Sequence, residues 1–436
     1  MSFSRRDFLA AAAAALCVAP YVGRTAAALL PPAKSRRVVI VGGGWGGLSA
    51  ARHLRELAPD LEVVLLEKNA AFWSLPMSNK WLVGLTDGKH LAHDYATAAN
   101  AYGYTFIQAE VSAIDRDKRR VVTVQGTLDY DWLILAVGIR YDYAAWFGDD
   151  RRAIDHARRN FPCAFIPGDE LPALKRKLEG FGGGDLVMTL PPLPYRCPLS
   201  PYERACMIGE QFKAGKTKGR LIVIDPNPVA QRYSATFAEQ YKEQIVYVPQ
   251  ARVKSVDPFN KTISTDFDDF RFDDAILMAP QQAGDLVWQA GLIGRDAGGR
   301  PTGWAEQHPV HLHAIEDQRV FLIGDLLGRV SPLFGHYPKS GHMANRLGRI
   351  AAREIAARAR GVAPETLLPE SSSLMYTRAE PPETVRIDTR YRFRGDGLIE
   401  QTVRQHYDPN PRGEDVAWAE SMFGEFLAPQ PKRSQE

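Results

Sequence analysis

Short runs of consecutive apolar residues recur along the chain, and glycine, proline or aspartate follows most of them. Residues 38–41, 133–137 and 320–323 form one set, and residues 186–190 and 221–224 form a second. Strands that are apolar without alternation are buried on both faces, as in parallel sheets covered by helices. The pattern predicts the α/β class, with two Rossmann-like domains and a smaller C-terminal part.

The order of the runs predicts that the first domain is split. Its two halves are predicted at 35–150 and 284–363, the second domain at 151–283, and a small C-terminal α+β interface domain at 364–436. Within the last segment, composition and pattern predict strands at 384–393 and 398–403 and an amphipathic helix at 413–427.

A glycine motif stands between the first apolar run and a helical pattern. Gly42-x-Gly44-x-x-Gly47 follows the strand, and Glu67 ends the next strand, 20 residues after the last glycine. In this motif the glycines permit a tight turn and close approach of the backbone to a pyrophosphate, and the acid accepts hydrogen bonds from a ribose. The first domain is therefore predicted to bind a dinucleotide.

The late strand ends in Gly324-Asp325, where Asp325 is placed to hold a ribityl hydroxyl, so the dinucleotide is predicted to be FAD. Pro338-Lys339-Ser340-Gly341 then starts a helix that runs to about Arg360. Its N-terminus and the Lys339 cation are expected to stabilise negative charge at N1 and O2 of the reduced flavin. The residues predicted to contact FAD from these segments are Gly42, Gly44, Trp45, Gly46, Gly47, Glu67, Lys68, Val111, Ala136, Gly138, Gly324, Asp325, Lys339 and Ser340.

The second domain repeats the strand–helix–strand plan but has a different turn. After Leu190 the sequence reads PPLPYRCP, so prolines stand where glycines would let a pyrophosphate approach. Each proline also removes an N–H donor. This domain is predicted not to bind NAD.

Cys197 lies in that proline-rich turn, next to Arg196 and just before a helix predicted from about Pro201 to Lys213. A cation and a helix N-terminus both favour a thiolate, so this is a place for a reactive cysteine; a structural role is equally compatible with the local sequence. Glu203 is either a proton acceptor near the flavin or a first-turn acid that stabilises the helix.

The N-terminal 28 residues are predicted to be a twin-arginine signal peptide. Arg5 and Arg6 precede Phe8-Leu9 and an Ala-rich run, and small residues near Ala26–Ala28 provide a cleavage region. The run is short and weakly apolar compared with the roughly 20 strongly apolar residues of a membrane anchor. The protein is therefore expected in the periplasm without stable membrane insertion. A formal net charge of +3 without a basic tract argues against nucleic acid as a partner.

Cys17 lies in the predicted signal peptide, which leaves Cys163, Cys197 and Cys206. An odd number of thiols in an oxidising compartment implies at least one that is unpaired or bonded to another chain. The sequence has no C-x-x-C-H, so a c-type haem would belong to another polypeptide. No metal site is predicted.

These motifs together resemble the flavoprotein subunit of flavocytochrome c sulfide dehydrogenase. The resemblance rests on Gly42–Gly47, on Pro194–Ala205, on Pro338–Gly341, and on Trp418 with Met422-Phe423-Gly424. It implies FAD, oxidation of sulfide at a cysteine disulfide beside the flavin, and electron transfer to a c-type cytochrome. It also implies that Cys197 is a redox cysteine, that Glu203 is an acid near the flavin, and that Trp418 is close to the ring.

The chain departs from the family pattern at two places. Met375 precedes Tyr376 where the family has its second redox cysteine, and Leu75 stands where some members attach flavin covalently. FAD is therefore expected to be bound non-covalently. Cys197 is left to carry sulfur alone, to pair with Cys163, or to be a relic.

The leading hypothesis is a periplasmic FAD-dependent sulfide or reduced-sulfur oxidoreductase that passes electrons to a c-type cytochrome, as a subunit or a soluble protein. One alternative is a pyridine-nucleotide oxidoreductase like type II NADH dehydrogenase. Another is a flavoprotein that has lost catalytic activity and acts as a partner-binding subunit.

Overall fold

The computed structural model describes residues 28–215 and 218–428. The predicted signal peptide lies outside these residues, apart from its last residue. Within the described ranges, no helix combines the length and the apolar character needed to cross a membrane.

The first domain is built on a six-stranded sheet that is parallel except at one edge. In spatial order its strands are His313–Ala314, Asp317–Leu322, Trp132–Leu135, Arg37–Val41, Glu62–Glu67 and Thr105–Gln108. Val39 pairs with Val64 on one side and with Leu133 on the other. The strand 317–322 joins this sheet beside 132–135 although the whole second domain lies between them in sequence. The predicted α/β class is confirmed, and the apolar runs form the buried strands.

The second domain has the same plan. Its parallel strands are, in spatial order, Ile245–Pro249, Gly219–Asp225, Gly184–Thr189 and Asp274–Leu277. Its helices are Arg151–Asn160, Glu170–Gly180, Ser200–Lys213 and Gln231–Gln240. Each domain also carries a three-stranded antiparallel meander, formed by Val111–Asp115, Arg120–Thr123 and Gly126–Asp129 in the first and by Val253–Asp257, Thr262–Thr265 and Asp269–Arg271 in the second. The antiparallel pair Ile139–Tyr141 and Gln281–Ala283 connects the two domains.

The C-terminal part is a three-stranded antiparallel sheet with a helix. The strands are Glu370–Arg378, Glu383–Phe393 and Ile399–Asp408, and the helix is Glu414–Gly424. The two predicted strands and the predicted helix are confirmed, with the second strand extending to Asp408. The strand Glu370–Arg378 was not predicted, and it carries Met375 and Tyr376 to the second domain.

Smaller elements complete the described residues. They are the strands Ala71–Trp73, Ala92–Asp94, Ile293–Arg295 and Pro301–Ala305, the helices Ser78–Leu82, Tyr95–Tyr102, Ala144–Phe147 and Asp285–Gln289, and the 3-10 turn Gly324–Leu326.

Two helices cross in backbone contact beneath the first sheet. We call Trp45–Leu57 the first helix and Gly341–Ala359 the long helix. A Cβ added at Gly348 would lie 2.3 Å from the carbonyl oxygen of Gly46, and one at Gly341 would lie 2.8 Å from the Trp45 ring. Only glycine permits this approach, which directs both helix N-termini toward one region.

We expect Gly348→Ala to destabilise the protein, because its Cβ would push against the backbone of the first helix. The expected loss in the free energy of unfolding is about 1–3 kcal/mol. Gly180→Ala is the matched control, since Gly180 ends a helix and an added Cβ there meets no atom within 4 Å. Urea unfolding followed by circular dichroism measures both, and equal stability of the two variants would contradict the packing argument.

Candidate flavin and thiol site

The glycine turn provides an open surface above the start of the first helix. Gly42 has φ +103°, and a Cβ at Gly47 would lie 1.9 Å from the carbonyl oxygen of Gly42, so the turn itself requires both glycines. By contrast, a Cβ at Gly44 would meet no atom within 4 Å. Gly44 caps the first helix, where free N–H groups and the helix dipole suit a phosphate.

Glu67 fixes this turn. Its Oε2 accepts a hydrogen bond from Gly43 N–H at 2.7 Å, and its Oε1 accepts from the backbone N–H and the side-chain amide of Asn69 at 2.9 and 2.7 Å. Its place at the end of the second strand is the one at which such an acid meets a ribose. Lys68 is exposed, and Val111 is buried at the start of the strand Val111–Asp115. Neither lines the cavities described next, so their contact with FAD stays a prediction.

Two cavities meet at Cys197. The glycine cavity, above the glycine turn, and the thiol cavity, on the other side of the cysteine, are both open to solvent and have empty volumes of about 560 and 770 Å³. Leu75, Pro76, Cys197, Ser340 and Gly341 line both. Predicted FAD contacts that line the glycine cavity are Gly44, Trp45, Gly46, Ala136, Gly138, Gly324, Asp325 and Ser340; Trp418 lines the thiol cavity with Glu203.

The long helix begins where the two cavities join. The side-chain oxygen of Ser340 accepts a hydrogen bond from Met343 N–H at 3.3 Å and caps the helix. Trp45 and Trp418 stack beside this end with ring centroids 6.3 Å apart. The predicted helix start therefore faces the candidate flavin site.

Lys339 does not have its predicted role. Its Nζ donates to the carbonyl oxygens of Asp325 and Leu327, each at 2.8 Å, and lies 3.6 Å from the centre of the Trp304 ring. It lines neither cavity, and burial lowers the pKa of its amine to about 7. The expectation that it places a cation at the flavin is corrected: Lys339 fastens the turn that carries Asp325.

Asp325 and Arg196 form a buried ion pair across the two domains. Nε of Arg196 lies 2.5 Å from Oδ2 of Asp325, and its Nη1 donates to the Phe165 carbonyl at 2.7 Å. Oδ1 of Asp325 has no hydrogen-bond partner among the described residues, which leaves an acceptor at the cavity for a hydroxyl group.

Cys197 is held in a left-handed backbone conformation, with φ +51°. Its N–H donates to the Lys339 carbonyl at 2.7 Å, which ties the thiol to the start of the long helix. Burial, with a smaller contribution from Asp325, raises the pKa of the Cys197 thiol to about 12, although Arg196 opposes the shift. The expectation that Arg196 favours the thiolate holds in direction, but burial and Asp325 outweigh its effect, and the thiol stays neutral near neutral pH.

The described thiols of Cys163, Cys197 and Cys206 form no disulfide with one another. Burial raises the pKa of Cys163 to about 12, and Cys206 is completely buried. Of the three, Cys197 is the one that lines a cavity.

Glu203 is a buried acid in the wall of the thiol cavity. Its Oε2 accepts from the Asn79 amide at 2.6 Å, and its Oε1 accepts from Tyr376 N–H at 2.8 Å. Burial raises the pKa of Glu203 to about 7, above the ordinary value near 4.5. Its side chain makes no hydrogen bond to its own helix within the described residues, so a proton-exchanging role fits better than helix capping.

The sequence analysis missed a second group of residues in this cavity. Lys80 donates to Asp415 at 2.8 Å and to the Tyr376 hydroxyl at 3.1 Å, and all three line the cavity together with the buried Arg204. They come from distant segments with no common motif. Arg204 and Tyr376 lie in segments with a family motif or a departure from it, whereas Lys80 and Asp415 carry no such signal.

Asp225 ends the second strand of the second domain, as Glu67 does in the first domain, but it is not accessible to a ligand. Asp225 is fully buried; its Oδ2 accepts from the hydroxyls of Tyr202 and Tyr247 at 2.6 and 2.7 Å, and its Oδ1 accepts twice from Asn227 at 2.9 Å. Asn227 also accepts from Leu193 N–H at 2.9 Å, which holds the proline-rich turn in place. The position that binds a ribose in nucleotide domains is occupied by the protein's own tyrosines.

Two Rossmann-like domains, with an open glycine turn and a thiol where they meet, define the pyridine nucleotide-disulphide oxidoreductase fold. Residues 36–159 match the family model of that name, and residues 172–280 match the model for the central region of the flavoprotein chain of sulfide dehydrogenase (flavocytochrome c). Neither match covers half of the chain, so they show similarity to these two groups of proteins in these two regions.

Individual relatives agree with this class. A sulfide-quinone reductase of Aquifex aeolicus is 30% identical over 101 residues, which are 23% of this chain and 24% of that protein. An NADH dehydrogenase-like protein of Mycobacterium tuberculosis is 30% identical over 198 residues, 42% of this chain and 45% of that protein. The chain thus spans less than half the length of these curated relatives.

The crystal structure of a sulfide:quinone oxidoreductase from Aquifex aeolicus superposes with a TM-score of 0.69 at 17% identity. The aligned region covers 91% of this chain and 93% of the Aquifex chain. A NAD-dependent persulfide reductase from A. fulgidus superposes with a TM-score of 0.60 at 14% identity, and the aligned region covers 90% of this chain and 77% of the reductase chain. At these identities the likeness shows the shared fold.

The raised pKa of Glu203 predicts a pH-dependent stability difference between the wild type and Glu203→Gln. A carboxyl whose pKa is raised on folding contributes stability below its unfolded pKa and loses that stability as pH rises through its folded pKa. With a pKa of about 7, the wild type should lose about 2–3 kcal/mol relative to Glu203→Gln between pH 5 and pH 8.

Chemical unfolding at several pH values measures this difference. Glu210→Gln, on the same helix but away from both cavities, is the control and should follow the wild type. A Glu203→Gln curve parallel to that of the wild type would show that Glu203 is ionised throughout this range.

Proposed function

We propose that the protein is an FAD-dependent oxidoreductase of sulfide or a related reduced sulfur compound. The observation that carries the proposal is the position of Cys197, which lines both cavities and shares the thiol cavity with a buried acid of pKa about 7. One cavity suits a dinucleotide, and the other brings a small sulfur substrate to the thiol. This single junction joins cofactor and substrate chemistry.

The residues around the glycine cavity fit FAD held without a covalent bond. Gly44 and the first helix N-terminus would take the pyrophosphate, Glu67 the adenosine ribose, and Asp325 a ribityl hydroxyl. Leu75, at the wall of both cavities, has no atom to which a flavin could be attached. When bound, FAD supplies an acceptor for two electrons that can release them one at a time.

Cys197 would receive the oxidised sulfur atom. Joining hydrosulfide to the neutral Cys197 thiol as a persulfide anion would form one S–S bond and release two protons and two electrons, and bound FAD would be the acceptor of the electrons. A second hydrosulfide could then attack the outer sulfur and carry it away as hydrodisulfide, while the leaving Cys197 sulfur takes up one proton and is restored as the thiol. Glu203 is the group in this cavity whose pKa suits taking up protons near neutral pH.

Location and electron acceptor are proposed from sequence features. The twin-arginine pattern of residues 1–28 supports export of a folded, cofactor-loaded protein to the periplasm. The periplasmic acceptor would be a c-type cytochrome, either a partner subunit or a soluble protein. The printed sequence contains no C-x-x-C-H motif, so the proposed haem is assigned to a partner chain.

A pyridine-nucleotide oxidoreductase is the second candidate, and the similarity to an NADH dehydrogenase-like protein favours it. The buried Asp225 and its tyrosine partners weigh against it, because Asp225 already accepts four internal hydrogen bonds that a ribose would have to displace. A lapsed flavoprotein that binds a partner is a third candidate. The high pKa of the Cys197 thiol favours that candidate.

We expect Cys197→Ser to slow reduction of the bound flavin by sulfide at least about 100-fold, the size of effect typical of removing a reacting group. Anaerobic stopped-flow absorbance of the purified holoprotein measures the rate. Cys163→Ser is the control and should reduce at nearly the wild-type rate. Equal loss in both variants would instead indicate a disulfide pair, and no loss in either would remove the thiol from the reaction.

We expect NADH and NADPH to leave the flavin oxidised under conditions in which sulfide reduces it. The physical reason is the closed ribose position at Asp225 and the proline-rich turn beside it. The same stopped-flow experiment with micromolar nucleotide decides the question. Rapid bleaching by either nucleotide would favour the second candidate function.

A further inference from the structure

Arg204 is a fully buried cation in the wall of the thiol cavity. It is 1% exposed and lies in the first half of the helix Ser200–Lys213. Its Nε donates to the Asn79 side-chain oxygen at 3.0 Å, its Nη1 donates to the Cys163 carbonyl, and its guanidinium lies 4.4 Å from the centre of the Phe165 ring. All of these partners are neutral.

The other strong cations near the thiol differ in this respect. Arg196 pairs with Asp325 at 2.5 Å, and Lys80 pairs with Asp415 at 2.8 Å. Within residues 28–215 and 218–428, Arg204 has no carboxylate oxygen within the 4.0 Å of an ion pair. Burying a charge without a counter-ion is costly, so natural proteins rarely do so without a reason.

The acid next to Arg204 in sequence is held apart from it by an amide. Asn79 accepts a hydrogen bond from Arg204 and donates one to Glu203 at 2.6 Å, so it bridges the two side chains and replaces a direct ion pair. The guanidinium plane is fixed by Phe165 and Asn79, and it stays available to an anion in the cavity.

Four titratable groups act on Arg204 from the surrounding elements: Glu203, Glu170, Cys163 and Tyr141. Burial raises the pKa of the Cys163 thiol to about 12 and that of Tyr141 well above its ordinary value, so both are neutral. The carboxylate of Glu170 accepts hydrogen bonds from the Tyr141 hydroxyl and Ala164 N–H, each at 3.0 Å. Burial raises the pKa of Glu170 as well, but Glu170 does not line the thiol cavity, whereas Glu203 lines it and is bridged to Arg204 by Asn79. Glu203 is therefore the acid beside Arg204 in the cavity whose ionisation would compete with an entering anion for the cation.

We propose that Arg204 is the anion-binding residue of the thiol cavity and holds a small sulfur monoanion, such as hydrosulfide or a persulfide, beside Cys197. The anion balances the positive charge of Arg204, which has no carboxylate partner among the described residues. Because ionised Glu203 would supply the same charge, the anion binds best while Glu203 is protonated. The identity of the anion as a sulfur compound rests on the proposed function, whereas the preference for negative charge does not.

Alkylation of Cys197 by two reagents of similar shape tests the preference. Iodoacetate is an anion and iodoacetamide is neutral, so the ratio of their rates at Cys197, divided by the same ratio for free cysteine, reports the local charge. Mass spectrometry of the peptide that contains Cys197, from the purified holoprotein, measures both rates. We expect the iodoacetate-to-iodoacetamide rate ratio at Cys197 to be about ten times that of free cysteine, because a nearby desolvated cation attracts the anionic reagent.

Arg204→Gln should bring the ratio close to one, and Arg204→Lys should keep part of the preference because it keeps the charge without the planar contacts. Arg220→Gln is the control: it removes one positive charge from an exposed pair with Asp185 and should leave the ratio unchanged. A wild-type ratio near one, or no reaction with iodoacetate at all, would overturn the proposal.

A second measurement needs no Arg204 variant and so stands even if Arg204→Gln does not fold. Thiocyanate, a sulfur-containing monoanion, should protect Cys197 of the wild type against iodoacetamide several-fold better at pH 6 than at pH 8. In Glu203→Gln the protection should be similar at both pH values. Absence of protection would contradict the anion site, whereas protection in a protein that does not oxidise sulfide would contradict the proposed function alone.

Discussion

The ion pair between Arg196 and Asp325 is the interaction on which the site depends. It joins a loop of the second domain to a strand end of the first domain at a buried position, where a charged pair must be well ordered to offset its desolvation. The Cys197 N–H bond to the Lys339 carbonyl and the Lys339 amine bond to the Asp325 carbonyl close this connection. The thiol is thereby fixed at the junction of the two cavities.

Burial controls the charges around that thiol. The Arg196 and Lys80 cations have carboxylate partners, whereas Lys339, Glu203 and Cys197 have pKa values shifted toward their neutral forms. The cavity is consequently poor in negative charge, and one uncompensated guanidinium remains. Such an environment favours an anion that arrives from solution over a thiolate formed in advance, because the entering anion supplies the missing counter-charge.

The two domains share one plan but have diverged at the turn that follows the first strand. In the first domain, glycines leave the helix N-terminus open and the acid at the second strand end holds the turn. In the second domain, prolines and Tyr202 fill the same space, and Asp225 has become a buried acceptor for tyrosine hydroxyls. At this turn the second domain therefore contributes the loop that carries Cys197, whereas the first domain contributes the glycine turn suited to a dinucleotide.

The sequence by itself determined the α/β class, the buried strands, the open glycine turn and the closed second turn. These follow from local rules: apolar runs form buried strands, glycine permits positive φ and close approach, and proline lacks an N–H. The edge strand Thr105–Gln108 and the strand Glu370–Arg378 were missed because neither has a continuous apolar run, and their pairing depends on neighbours far along the chain. The tertiary structure alone decided the charges. Lys339 precedes a helix start, but its amine donates hydrogen bonds to two backbone carbonyls. Arg196 is next to Cys197 in sequence, but its guanidinium forms an ion pair with Asp325. Arg204 has no counter-ion because Asn79, more than 100 residues earlier in the chain, lies between it and Glu203. A pKa and a counter-ion depend on burial and on contacts between distant segments, and sequence neighbours specify neither.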